Sequence, residues 1–100
     1  MTGVSGVRGV FADTLNPITA IKYAAHFAFL QKQSYPDRQP IIIVGRDSRT
    51  TGKAMLHSII SALISMGCDA TDLGIVSTPT LLLKVQESDA IGGIAITASH

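Results

Sequence analysis

Ile41-Ile42-Ile43-Val44-Gly45-Arg46-Asp47-Ser48-Arg49 is the stretch that decides the fold class. Four consecutive β-branched residues leave no polar face, the pattern of a central parallel strand covered on both sides. Polar residues follow, so 45–52 is predicted to be a turn, with a helix from about Lys53 to Met66. Met55, Ile59, Ala62, Leu63 and Met66 fall along one face of that helix, and Gly67 ends it.

On the amino side, Val4 to Phe11 reads as a strand or a turn-interrupted ribbon, with glycines at 3, 6 and 9. Asn16-Pro17 starts a helix, because asparagine caps well and proline at the first helical position loses no hydrogen bond. That helix runs to about Gln33 and is apolar over most of its circumference, leaving Lys22, His26 and Gln33 on a narrow stripe; heavy burial is expected. Residues 31–40, with Ser34-Tyr35-Pro36-Asp37, read as a surface connection. On the carboxyl side come a strand from Asp69 to Val76, a short helix capped by Thr78 before Pro79, and a strand from Ala90 to Thr97. The alternation predicts an α/β fold: a three-layer α/β/α sandwich around a mixed, mostly parallel four-stranded sheet.

Composition narrows the function classes. The 100 residues suit one domain with a single core. A net charge of +1 offers no general attraction for nucleic acid or an acidic membrane surface, and no apolar run is long enough to span a bilayer. One cysteine precludes an internal disulfide, and the amino terminus has no secretory pattern, so a cytoplasmic location is expected.

Three polar clusters punctuate this plan: Ser5-Gly6-Val7-Arg8-Gly9, Gly45-Arg46-Asp47-Ser48-Arg49 and Thr97-Ala98-Ser99-His100. The second and third each follow a strand, and in an open α/β sheet the crevice beyond the carboxyl ends of the strands is where ligands bind. Ser99 is the first nucleophile candidate. Arg8, Arg46 and Arg49 carry planar guanidinium groups suited to bidentate contacts with phosphate. Arg46 and Asp47 equally suit a surface ion pair, with Asp47, Ser48 or Thr50 capping the next helix, and Ser99 an ordinary loop serine.

Other site types fail on spacing. Six residues separate Gly45 from Gly52 where a P-loop has four, and Ala54 stands where that motif needs a hydroxyl. Glycines 3, 6 and 9 do not make a dinucleotide fingerprint. Ser99 lacks the glycines of a nucleophile elbow, His26 and His57 lie within predicted helices away from a triad, and the single Cys and scattered His make no zinc set.

Together and in this order, the clusters resemble the opening S/T-G-x-R-G, the G-x-D-x-R turn and the T-A/G-S-H-N-P loop of the α-D-phosphohexomutases, the family of phosphoglucomutase, phosphomannomutase and phosphoglucosamine mutase. The resemblance covers almost the whole chain and implies that residues 1–100 are the amino-terminal domain I, with the Asn-Pro pair and the remaining mutase domains outside them. It implies that Ser99 carries a phosphoryl group, donates it to a hexose phosphate and recovers one from a hexose bisphosphate. It further implies that Arg8, Arg46 and Arg49 bind phosphate, that Arg8 and His100 assist catalysis, and that magnesium binds Ser99 through its phosphate. The family's magnesium carboxylates, sugar-recognition loop and distal phosphate clamp belong to later domains, so the isolated chain is expected to be inactive. The alternative is a non-catalytic anion-binding or interaction module of the same fold.

Overall fold

The computed structural model describes residues 9–13, 17–48 and 50–97. Within them the chain alternates β1 (Gly9–Asp13), α1 (Pro17–Ser34), β2 (Ile41–Arg46), α2 (Thr50–Ser65), β3 (Asp69–Ile75), α3 (Thr78–Glu87) and β4 (Gly92–Thr97). The strands lie in the order β1-β4-β2-β3, and β1 with β4, β4 with β2, and β2 with β3 all pair in parallel. The mixed sheet expected from the sequence is therefore corrected: every pairing among the described residues is parallel. The cause is the helix between each pair of successive strands, which returns the chain to the starting edge.

Helices cover both faces of the sheet. Ile42, Val44, Ile94 and Ile96 join Phe27 of α1 and Leu56, Ile59 and Leu63 of α2 in one core. Ile43 and Ala95, the intervening residues of the same strands, pack with Leu81 and Val85 of α3 in another. This follows from the period of two along a strand, which makes a continuous aliphatic run serve two cores. Burying each such aliphatic side chain contributes about 1.5–3 kcal/mol. From β1 to β2 and from β2 to β3 the chain moves one way across the sheet over α1 and α2; from β3 to β4 it moves back over α3 on the other face. Crossovers of one hand require that change of face.

Helix α1 is less buried than its composition suggested. Ala20, Ala24, Phe27 and Ala28 face the core, whereas Ile18, Phe29 and Leu30 are exposed. Only one face of α1 meets the sheet and α2, and its small alanines permit that close contact.

Helix α2 begins at Thr50, earlier than expected, and Gly45 and Arg46 complete β2, so both ends of the predicted turn over 45–52 belong to regular elements. At its far end Gly67, with φ +82°, takes the left-handed conformation. Its N–H donates to Ile64 O at 2.9 Å, and the next N–H, of Cys68, donates to Leu63 O at 3.0 Å. These are the two bonds of a Schellman cap. Lys32 Nζ, from the last turn of α1, donates to the carbonyl of Met66 at 2.9 Å. Cys68 is buried beside Leu63 in the core; desolvation raises its thiol pKa, opposed by Lys32 and reinforced by Asp69.

Helix α3 is capped by Ser77, one residue before the expected Thr78, because the Ser77 hydroxyl reaches the Thr80 N–H at 3.3 Å. Strand β3 forms a sheet edge and carries an extra residue: Val44 pairs with Asp72 but Arg46 with Ile75. Gly74 absorbs this bulge at φ +73°, and the Asp72 carboxylate accepts its N–H at 2.7 Å. Such an irregularity blunts an edge against unwanted strand pairing.

Candidate functional site at the carboxyl edge

All the strands point the same way, so their carboxyl ends share one edge. There the connection after β2 leads to α2 on one face, while the connection after the neighbouring β3 leads to α3 on the other. This divergence is a topological switch point, where open α/β sheets form a ligand crevice.

Backbone hydrogen bonds knit the edge together beyond the regular ladder. Val76 N–H donates to Arg46 O at 3.1 Å, and Asp47 N–H donates to Ile96 O at 3.0 Å. Arg46 is the register partner of Ile96. The segment that opens the second sequence cluster thus lies beside the end of β4, from which the third cluster departs. The half-buried Arg46 turns its Nη1 onto the carbonyl of Asp47 at 3.1 Å, so part of its hydrogen-bonding capacity shapes the turn.

Arg8, Arg49, Ser99 and His100 lie outside the described residues, as does the proposed cap Asn16. Of the sequence-predicted site residues, Arg46 is the one whose surroundings are described. Gly9 pairs with Gly93 at the amino end of β4, and Asp13 with Thr97 at its carboxyl end. The strand register therefore does not by itself carry Arg8 to the carboxyl edge; its assignment rests on the family resemblance. His26 and His57 occupy exposed positions on α1 and α2. Among the described residues, no group of three His, Cys, Asp or Glu side chains is arranged to hold a metal ion. No described helix is long and apolar enough to cross a membrane.

An open notch of about 240 Å³ lies elsewhere, lined by Arg38, Gln39 and Asp89. These residues precede β2 and β4, at the amino edge. Arg38 Nη2 donates to the carbonyls of Asp89 at 3.0 Å and Ala90 at 3.3 Å, and its guanidinium lies 5.4 Å from the centre of the Tyr35 ring. Arg38 ties two connections together far from the switch point. Sequence reading passed over it because a loop arginine carries no spacing signal.

The fold and its edge define an α/β domain of the kind that presents ligand-binding loops beyond the carboxyl ends of a parallel sheet. Residues 1–100 match the family described as phosphoglucomutase/phosphomannomutase, alpha/beta/alpha domain I, and the chain belongs to that family. It is 39% identical over 99 residues to a phosphoglucosamine mutase of Pediococcus pentosaceus, covering 98% of this chain and 22% of that protein. It is 40% identical over 98 residues to a phosphoglucomutase/phosphomannomutase of Thermococcus kodakarensis, covering 98% of this chain and 21% of that protein. A phosphoglucosamine mutase of Leuconostoc citreum is 37% identical over 99 residues, with coverage of 98% and 22%. The chain thus spans about a fifth of the length of these relatives. No solved structure matches it.

Proposed function

We propose that this chain is the phosphoserine-bearing domain of a phosphohexomutase that interconverts hexose 1-phosphate and hexose 6-phosphate through a sugar bisphosphate. The observation that carries the reading is the Asp47 N–H to Ile96 O bond of 3.0 Å at the switch point, which sets the Arg46 turn beside the strand leading to Ser99. Family membership supports it.

In this reading the Ser99 Oγ–P bond breaks as a P–O bond forms to a hydroxyl of the sugar phosphate. The hydroxyl proton passes to a base, a role suited to His100, and the serine oxygen leaves as an alkoxide that is protonated in turn. After the bisphosphate reorients, its other phosphoryl group returns to Ser99. A phosphoserine brings a charge of about −1.5 to −2 to the edge, so transfer depends chiefly on positioning and charge neutralisation. Arg8, Arg46 and Arg49 are assigned to that neutralisation. Magnesium is assigned to the Ser99 phosphate, with its carboxylates supplied by other domains.

The test uses the complete enzyme. After incubation with a hexose bisphosphate and magnesium, mass spectrometry is expected to find phosphate on Ser99 and not on Ser5 or Ser48. Ser99→Ala lowers turnover by at least about a hundredfold, the scale set by loss of a positioned reacting group. Full turnover in Ser99→Ala refutes the assignment.

A further inference from the structure

Gly45 was expected to open a turn, yet it is a buried strand residue. It follows Ile43 by two positions, on the face covered by α3. A Cβ built on it stands 2.5 Å from Val76 Cγ2, closer than real Cβ contacts, while Leu81 Cδ1 at 3.4 Å and Gly74 O at 3.6 Å are ordinary neighbours. A side chain at this position therefore requires Val76 or the strand to shift.

Val76 is also bonded to the edge of the sheet. Its N–H reaches Arg46 O, and the N–H of the same Arg46–Asp47 peptide group reaches Ile96 O. A peptide group is a rigid plane, so a tilt imposed on its carbonyl by Val76 also moves its N–H. Ile96 O in turn belongs to the peptide plane shared with Thr97, two residues before Ser99. A continuous chain of backbone groups thus leads from the space at Gly45 to the carboxyl end of β4.

We propose that Gly45 is a positioning residue for phosphoryl transfer: by leaving room for Val76 it sets the tilt of the Arg46–Asp47 peptide, which holds the Ile96–Thr97 peptide plane from which the chain continues to Ser99. The proposal rests on the reading of Ser99 given above. Gly93 supplies an internal comparison. It faces the same helix, and its built Cβ meets Val85 Cγ2 at 2.7 Å, but it lies at the amino end of β4, outside the chain of bonds at the carboxyl edge.

The experiment compares Gly45→Ala, Gly93→Ala, Val76→Ala and the double variant Gly45→Ala/Val76→Ala in the complete enzyme. It measures kcat, KM and the rate of Ser99 phosphorylation per folded molecule, with the folded fraction taken from near-ultraviolet circular dichroism. Gly45→Ala is expected to lower kcat and the phosphorylation rate by about ten- to a hundredfold, the scale of a small misplacement of reacting groups, with KM unchanged. Gly93→Ala lowers the melting temperature but leaves kcat per folded molecule unchanged. The double variant regains the kcat of Val76→Ala, because the single excluded contact is gone.

Equal kcat in the two glycine variants overturns the proposal, as does a folded double variant that stays slow. The latter result stands even where Gly45→Ala alone does not fold. A wild-type enzyme with no phosphate on Ser99 overturns both the mutase reading and this inference. Phosphorylated wild type with full kcat in folded Gly45→Ala overturns this inference alone.

Discussion

Gly67→Ala probes the junction of α1 and α2 at the amino edge. An L-residue held at φ +82° pays the left-handed penalty of about 1–2 kcal/mol. The new Cβ also stands 2.9 Å from Lys32 Nζ. That ammonium sits at the end of a flexible side chain and moves aside, weakening its 2.9 Å bond to the Met66 carbonyl. Losing a hydrogen bond of this kind costs about 0.5–1.5 kcal/mol. A loss near 2 kcal/mol corresponds to a fall in melting temperature of roughly 10 °C for a chain of this size. Urea unfolding of residues 1–100, followed by far-ultraviolet circular dichroism, measures it. In a Lys32→Met background the same glycine substitution is expected to cost only the conformational part, about 1–2 kcal/mol. Wild-type stability in Gly67→Ala refutes the assignment of strain; a cost that vanishes entirely with Lys32→Met shows that the lysine contact was the whole effect.

At the other edge, Ser77→Ala removes the bonds of the Ser77 hydroxyl with the Thr80 N–H and Oγ1 and lowers stability by about 1 kcal/mol, while Ser77→Asp retains most of it; urea midpoints compare them. Because burial raises the Cys68 pKa, the folded chain holds the thiol proton to higher pH than the unfolded chain does. The associated stability is full below the ordinary thiol pKa of about 8.5 and falls as pH rises past it. Cys68→Ala is expected to be less stable overall yet to lose less stability between pH 8 and about 10, and an unchanged slope in unfolding free energy against pH refutes this.

Particular residues show which features are legible in a linear sequence. The Ile41–Val44 run identified a strand buried on both faces because alternation along a strand is local geometry. Pro17 and Gly67 marked helix ends for the same reason: one has a fixed φ and no N–H to place, the other tolerates positive φ. The three clusters showed which family the chain resembles. The exposure of Phe29 and Leu30 was not legible, since whether the back of a helix is covered depends on what else reaches it. Nor was the choice of Ser77 over Thr78 as cap, which turns on a single hydroxyl geometry.

The sequence by itself determined the element order, the doubly buried central strand, the cap at Gly67 and the motifs that resemble the mutases, all properties of neighbours within a few residues. Only the tertiary structure decided the order β1-β4-β2-β3 and the parallel pairing of the described strands, and with them the β2–β4 pairing that sets Arg46 against the end of β4. It also decided what Gly45 is for. As one glycine in a polar stretch it looks like a turn residue; its role as the space that admits Val76 arises from a contact with a residue 31 positions away in the sequence. Contacts between residues so far apart depend on how the layers stack, and no local pattern of residues encodes that distance.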